Sequence, residues 1–150
     1  MQPSGITQYV SMLKFSADAT RVVLLTKNRP KFLNGKLCPV GGHIEEGELP
    51  EDAAAREDDE ETGVKSQPSD WKKYAECEGP DWVMHCYVSF TDDADSARTM
   101  TDEPVSIHNV AELLTMVATT PECASPDLLA LVGLALQARN RPSFARLSFA

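Results

Sequence analysis

The sequence has no cysteine grouping of the kind that holds a metal or a disulfide framework. Cys38, Cys77, Cys86 and Cys123 are widely spaced, with no C-x-x-C and no Cys/His cluster at zinc spacing. They are read as reduced, mostly buried thiols. No apolar run approaches the length of a membrane span, and the opening MQPSGITQYVSMLKFS lacks the basic start and unbroken apolar core of a secretory signal. The expectation is a cytoplasmic protein with no membrane partner. A basic stripe is missing too, so nothing would neutralise a run of phosphates, and a nucleic-acid polymer is not an expected partner. Repeats and low-complexity segments are also absent. With 150 residues, 42% of them hydrophobic, the chain is long enough for one buried core and too short for two ordinary domains. Residues 1–150 are therefore expected to form a single domain.

What the sequence does have is acid, concentrated in one place. Between Gly41 and Val64 stand ten carboxylates, Glu45, Glu46, Glu48, Glu51, Asp52, Glu57, Asp58, Asp59, Glu60 and Glu61, against the single cation Arg56. That segment accounts for the whole net charge of −9, and the other residues balance to zero. A neutral body with one anionic segment suggests a cation held there, where evenly spread acidity would suggest only solubility.

Residue types and turn signals place this segment in a mixed α/β chain. Thr7 to Ser16 and Arg21 to Asn28 are rich in β-branched and aromatic residues around the short ADAT, which predicts a hairpin. A Gly- and Pro-punctuated connection follows, with a short extended piece at Lys36 to Pro39, and ends at Gly41 and Gly42. Pro50, acids in the first turn, three alanines and Gly63 predict a helix from Pro50 to Thr62. Further strands are expected around DWKKYAEC and over Trp82 to Phe90, with a strand or turn at VSIHNV. A mobile polar loop is expected over DDADSARTMTDEP, then a short helix at AELLTMVA and a longer one capped by Ser125. The tail from 140 to 150 carries two phenylalanines that could pack on the body or on a second subunit, so monomer and homodimer both stay open.

On a helix, Glu57, Glu60 and Glu61 fall within an arc of roughly 100°. A solvated helix face normally intersperses opposite charges, whereas here only Arg56 does so and the acids repel one another. Carboxylate and carbonyl oxygens suit Mg²⁺ or Mn²⁺, and such a site serves phosphate chemistry. Gly41 and Gly42 would let backbone approach the ion or a phosphate closely. Two look-alikes fail. GHIEEGE has the glycine spacing of a P-loop but is followed by Glu48 and Leu49 where Lys and Ser/Thr are required. DDADSARTMTDE places Ala97 where an EF-hand needs glycine.

Gly42, Glu48, Arg56, Glu57, Glu60, Glu61, Gly63 and Val64 stand at the spacing of the Nudix box, G-x5-E-x7-R-E-U-x-E-E-x-G-U, with U a bulky apolar residue, so the chain resembles the Nudix hydrolases over residues 42–64. The flanking strands and DEPVSIHNVAELL extend the resemblance over essentially the whole domain except the tail. It implies an α/β/α sandwich around a mixed β-sheet, with the box as a catalytic loop-helix-loop. It also implies Mg²⁺ or Mn²⁺ as cofactor and a nucleotide as small-molecule substrate. By resemblance, Glu57, Glu60 and Glu61 become metal ligands, one of them serving as base, with the Gly41 carbonyl completing the shell. Arg56 orients the glutamates, while Gly42, Glu48 and Gly63 fix the motif's geometry. Glu103, with Asp102 behind it, is the candidate for a further acid outside the box. Asp58 departs from the pattern: it occupies the apolar position, and burying it would require a partner or water.

Lys27, Arg29, Lys31 and Lys36 lead into the glycines, and Arg29 and Lys36 are taken as candidate substrate contacts. His43, His85 and His108 are scattered and are read as structural or solvent-facing. The aromatics Trp71, Tyr74, Trp82 and Tyr87 are read first as core. The expected activity is Mg²⁺-dependent hydrolysis of a nucleoside or deoxynucleoside triphosphate, modified bases included, to the monophosphate and pyrophosphate. The alternatives are hydrolysis of ADP-ribose or a dinucleoside polyphosphate, and a catalytically silent domain that binds nucleotide or a partner.

Overall fold

The computed structural model of the protein describes residues 5–150, so the first four residues of the opening segment lie outside the described residues. Strands β1 (Thr7–Phe15), β2 (Arg21–Thr26), β3 (Leu37–Cys38), β4 (Val40–His43), β5 (Lys72–Glu78), β6 (Trp82–Phe90), β7 (Val105–Asn109) and β8 (Ala145–Ser148) form one mixed sheet. Helices α1 (Pro50–Thr62), α2 (Val110–Thr119) and α3 (Leu128–Gln137) cover it. The sheet runs β3-β2-β1-β6-β5-β8, with β4 paired to β1 and β7 to β2. β1 lies at its centre. It pairs in parallel with β6, from Thr7↔Trp82 to Phe15↔Phe90, and antiparallel with both β2 and β4.

The expected hairpin of β1 and β2 is present, and so is β6 over Trp82 to Phe90. Alternation along the central strands sorts their side chains into two cores. Leu13, Phe15, Val22, Leu24, Cys86 and Val88 point to the side covered by α2 and α3, where they meet Leu113, Val117, Leu128, Leu131 and Ala135. Val10, Met12, Val23, Leu25 and Tyr87 point to the opposite side, against Ala53 and Ala54 of α1. The result is an α/β/α sandwich with the acidic helix alone on one face. Cys38, Cys77 and Cys86 are buried, Cys123 is half-buried, and all four are free thiols.

Three expectations need correction. Ser125 does not cap α3: the helix starts at Leu128 with Asp127 in the capping position, and Ser125 meets it only through its carbonyl, which accepts the Leu128 N–H. The glycine pair, read as part of a connection, belongs to β4, pairing Val10↔Gly42 and Ser11↔Gly41. The tail, left open between the body and a second subunit, packs on the body: β8 lies parallel to β5 with Phe149 N–H donating to the Glu78 carbonyl. The segment expected as a mobile polar loop contains a short 3-10 turn at Asp92–Ser96 and is tied down beyond it by hydrogen bonds to α1 and the β2–β3 connection. No helix among the described residues is long and apolar enough to cross a membrane.

Candidate active site

The site is built where α1 leans on β1 and β4. Pro50 opens the helix, Glu51 and Asp52 fill the first turn near its positive end, and Gly63 ends it in the left-handed conformation at φ 73°. β4 brings Gly42 directly beneath the helix. A side chain there would run into the Glu57 carboxylate, so the glycine makes the room in which that carboxylate lies against the strand backbone. Gly41 is equally constrained: a Cβ on it would strike the Val10 carbonyl of β1.

Arg56 organises the acids around it. Its Nε and Nη2 donate to Glu48 Oε2 and Oε1, both at 2.8 Å, in the bidentate form that fixes orientation as well as distance. Nη1 donates to Glu57 Oε1 at 2.9 Å and Glu60 Oε2 at 3.2 Å, and Nη2 also donates to the His43 carbonyl at 3.0 Å. The hydrogen bond with Arg56 holds Glu48 below the ordinary carboxylate range, and the bond to Glu48 raises Arg56 further above its usual value. Glu48 also accepts the Glu45 N–H, which braces the turn before the helix.

Glu57 and Glu61 behave differently from Glu48. Burial pushes both upward, with Arg56 opposing the rise for Glu57 and the Thr101 hydroxyl opposing it for Glu61. Thr101 Oγ1 donates to Glu61 Oε2 at 3.2 Å and accepts the Glu103 N–H at 3.1 Å. Glu103 is thereby drawn beside the box, but its own oxygens are occupied: Lys27 Nζ donates to Oε1 at 3.1 Å and the Asn28 N–H to Oε2 at 2.8 Å. Asp102 is exposed and pairs with Arg29 at 3.0 Å. Lys36 donates to the Glu122 carbonyl at 2.7 Å, in the connection between α2 and α3. Both candidate substrate contacts are therefore engaged.

Asp58 has the partner its position demands. It is buried, and so is Lys14 of β1, whose ammonium stands 2.7 Å from Asp58 Oδ2. The Thr62 and Ser66 hydroxyls donate to the remaining lone pairs of Asp58, and the Trp71 indole N–H donates to Ser66. The helix packs against the sheet because this charge is compensated from below. Sequence reading missed Lys14, Asn28 and Thr101. Lys14 alone left a signal, as a charged residue in an otherwise buried strand pattern.

The donor set of the helix is oxygen only, which suits a hard divalent ion. Among the described residues no three acidic, His or Cys side chains already converge on one point, because Arg56 holds Glu57 and Glu60 while Thr101 holds Glu61. The residues fit such an ion by type and by the excess of negative charge, and a small rotation of exposed Glu60 away from Arg56 would free its oxygens.

Fold and site thus define an α/β/α enzyme with an acid-bearing helix set on a glycine strand. A family model described as NUDIX domain matches residues 6–127, and the chain belongs to the Nudix family as a hydrolase acting on pyrophosphate bonds. No curated protein matches the chain. Among solved structures, a NUDIX hydrolase from Nitrosomonas europaea superposes with a TM-score of 0.70 at 15% identity, over 99% of this chain and 82% of that one. A structure from a study of MutT from Aliivibrio salmonicida and Vibrio cholerae gives 0.62 at 17% identity, over 85% of this chain and 96% of that one. A MutT/nudix family protein from Enterococcus faecalis gives 0.58 at 19%, over 73% of this chain and 46% of that one. At these identities the likeness is one of fold.

Proposed function

We propose that the chain hydrolyses a nucleoside or deoxynucleoside triphosphate to the monophosphate and pyrophosphate with Mg²⁺ or Mn²⁺ bound by Glu57, Glu60, Glu61 and the Gly41 carbonyl. The observation that carries the reading is the Glu57 carboxylate, seated on Gly42 and braced by Arg56 in the middle of the acidic helix face. The divalent ion supplies charge neutralisation at the phosphates and acidifies water. The chain's own groups do the rest. A water oxygen attacks phosphorus, its proton passes to a carboxylate of the helix, and the bridging P–O bond breaks with its electron pair leaving on pyrophosphate. Arg56 keeps the glutamates in register through this step, and Glu48 keeps Arg56 in register.

A neutral body with a single anionic segment favours a small, highly charged substrate delivered with its metal over a polymer. Incubating the protein with a panel of nucleoside triphosphates, ADP-ribose and dinucleoside polyphosphates in Mg²⁺, with products identified by chromatography, tests the proposal. Pyrophosphate and a nucleoside monophosphate are expected. AMP and ribose phosphate from ADP-ribose, with triphosphates untouched, would move the chain to the alternative substrate class. Turnover unchanged in Glu60→Gln would remove that residue from the mechanism, and no turnover of any substrate by the parent would leave a binding domain.

A further inference from the structure

A diphosphate held beside three glutamates needs positive charge from the protein, yet five cations around the site are already engaged. Arg56 is taken by Glu48, Glu57 and Glu60, Lys14 by Asp58, Lys27 by Glu103, Arg29 by Asp102, and Lys36 by the Glu122 carbonyl. Arg98, in the segment between β6 and β7, is exposed, and its side chain makes no ion pair or hydrogen bond among the described residues. Its backbone is nevertheless tied to the end of the helix. Its N–H donates to the Thr62 carbonyl at 3.0 Å, and its guanidinium lies across Gly63 so closely that a Cβ there would come within 2.7 Å of Cζ. Three residues on, Thr101 donates to Glu61. The segment therefore runs along the end of α1 that carries the acids, with a planar five-donor fork beside it.

We infer that Arg98 is a substrate-binding residue that takes the phosphate chain of the nucleotide at the Gly63 end of the box. This rests on the reading of the site as a nucleotide pyrophosphohydrolase. The guanidinium matches phosphate oxygens two at a time, and its planar fork loses less freedom per hydrogen bond formed than an ammonium does. Lys31 and Lys65 also make no ion pair or hydrogen bond among the described residues, but each offers a single ammonium on an exposed stem. The acidic glutamates alone would repel the substrate's phosphates, and Arg98 supplies a counter-charge at the Gly63 end of the helix without bonding the glutamates' oxygens. A second consequence concerns Gly63, which does double duty: it adopts the left-handed turn and leaves bare backbone for the arginine to lie on.

The rival account is a cation serving only the negative end of the helix dipole, which would affect stability and nothing else. Arg98→Gln and Arg98→Lys separate the two. Calorimetric titration of inorganic pyrophosphate into the protein in Mg²⁺ should show about tenfold or greater loss of affinity in Arg98→Gln, with partial recovery in Arg98→Lys. In turnover of whichever triphosphate the parent hydrolyses best, KM should rise by a similar factor and kcat should change less. Unchanged pyrophosphate affinity in Arg98→Gln, with or without a lower melting temperature, overturns the inference, as does a parent that binds no pyrophosphate. If the parent hydrolyses no triphosphate, the proposed function falls, and the pyrophosphate comparison still decides the role of Arg98.

Discussion

Removing either half of the Lys14–Asp58 pair should damage the protein more than removing both. Each side chain is 3% exposed and their charges stand 2.7 Å apart, so neither ion has bulk water to fall back on. Asp58→Leu would leave the Lys14 ammonium with only the Asp93 carboxylate, 3.4 Å away and 45% exposed, and the face of Trp71 at 5.5 Å. Lys14→Met would leave Asp58 with two hydroxyl donors and no cation. Breaking a buried pair costs about 3–5 kcal/mol, whereas replacing both partners by apolar residues of similar volume is often neutral or better. In Lys14→Met/Asp58→Leu Thr62 still donates to the carbonyl of residue 58 and Ser66 still accepts from Trp71, while the half-buried Ser66 hydroxyl turns to water for an acceptor. At about 2–4 °C per kcal/mol for a chain of this size, each single variant should melt roughly 6–20 °C lower and the double variant near the parent. Urea unfolding of the four proteins gives the coupling energy directly, expected at several kcal/mol. If the two losses simply add, the pair does not anchor the helix and the account of why this box tolerates an acid at its apolar position is wrong.

Gly42→Ala should cost about 100-fold in kcat/KM, since displacing Glu57 by even an ångström misplaces a group that must be held to within that tolerance; activity within threefold of the parent would show that Glu57 does not depend on the glycine. His85 predicts a pH dependence of stability. Its Nδ1 faces Lys73 Nζ at 2.8 Å and its Nε2 faces Gln8 at 2.7 Å, with Glu76 3.7 Å away, so the ring sits as the neutral tautomer that accepts from lysine and donates to glutamine. Burial first, then Lys73, lowers its pKa below the ordinary 6.5, and Glu51 and Glu76 oppose the shift. The unfolded chain therefore binds the proton more readily, and stability should fall as pH drops below about 6.5. His108, lowered by burial, adds to the same slope. In His85→Gln the loss between pH 7 and 5, followed by urea midpoint, should be visibly smaller; an identical pH profile would reject this assignment.

What could be read from the sequence followed what local rules determine. The box helix starts at Pro50 and stops before Gly63 because a proline at the first turn and a glycine in the left-handed region are nearly sufficient to set its ends. β6 declared itself through an unbroken run of strand-favouring residues. β4 did not, because it is four residues long with two glycines at its centre, and these are extended because β1 pairs with them. β8 was hidden for the same reason: Ala145–Ser148 becomes a strand by adding to the edge of β5. Ser125 shows the limit of cap signals, since Ser125 and Asp127 stand two residues apart and nothing local chooses between them. In the site, the box residues were legible through spacing, and their partners were not. Lys14 is 44 residues from Asp58, Glu103 is 76 from Lys27, and no periodicity links residues that meet only through the sheet.

The concentration of acid on α1 leads to a last prediction, in which metal and stability pull in opposite directions. Without an ion, Glu57 is buried and Glu61 is half-buried, and of the three candidate ligands Arg56 bonds Glu57 and Glu60 but not Glu61. Glu61 has one hydroxyl donor. A neutral isostere at that position removes a desolvated, repelling charge, so Glu61→Gln should melt higher than the parent in chelator. With Mg²⁺ the order should reverse. An ion that binds only the folded state adds about 2.7 kcal/mol at a hundred times its dissociation constant, or roughly 5–10 °C here. The variant, short of one oxygen anion, should gain a fraction of that. Sodium chloride at matched ionic strength should narrow the gap by screening the repulsion that the parent alone retains at that position, without reversing the order, because screening does not depend on a ligand set. If Glu61→Gln is less stable than the parent in chelator, or gains as much from Mg²⁺, then Glu61 is a surface acid and the metal, if it binds, is held elsewhere. The crossing of the two melting curves thus separates a helix whose charges are kept for an ion from one that is merely acidic.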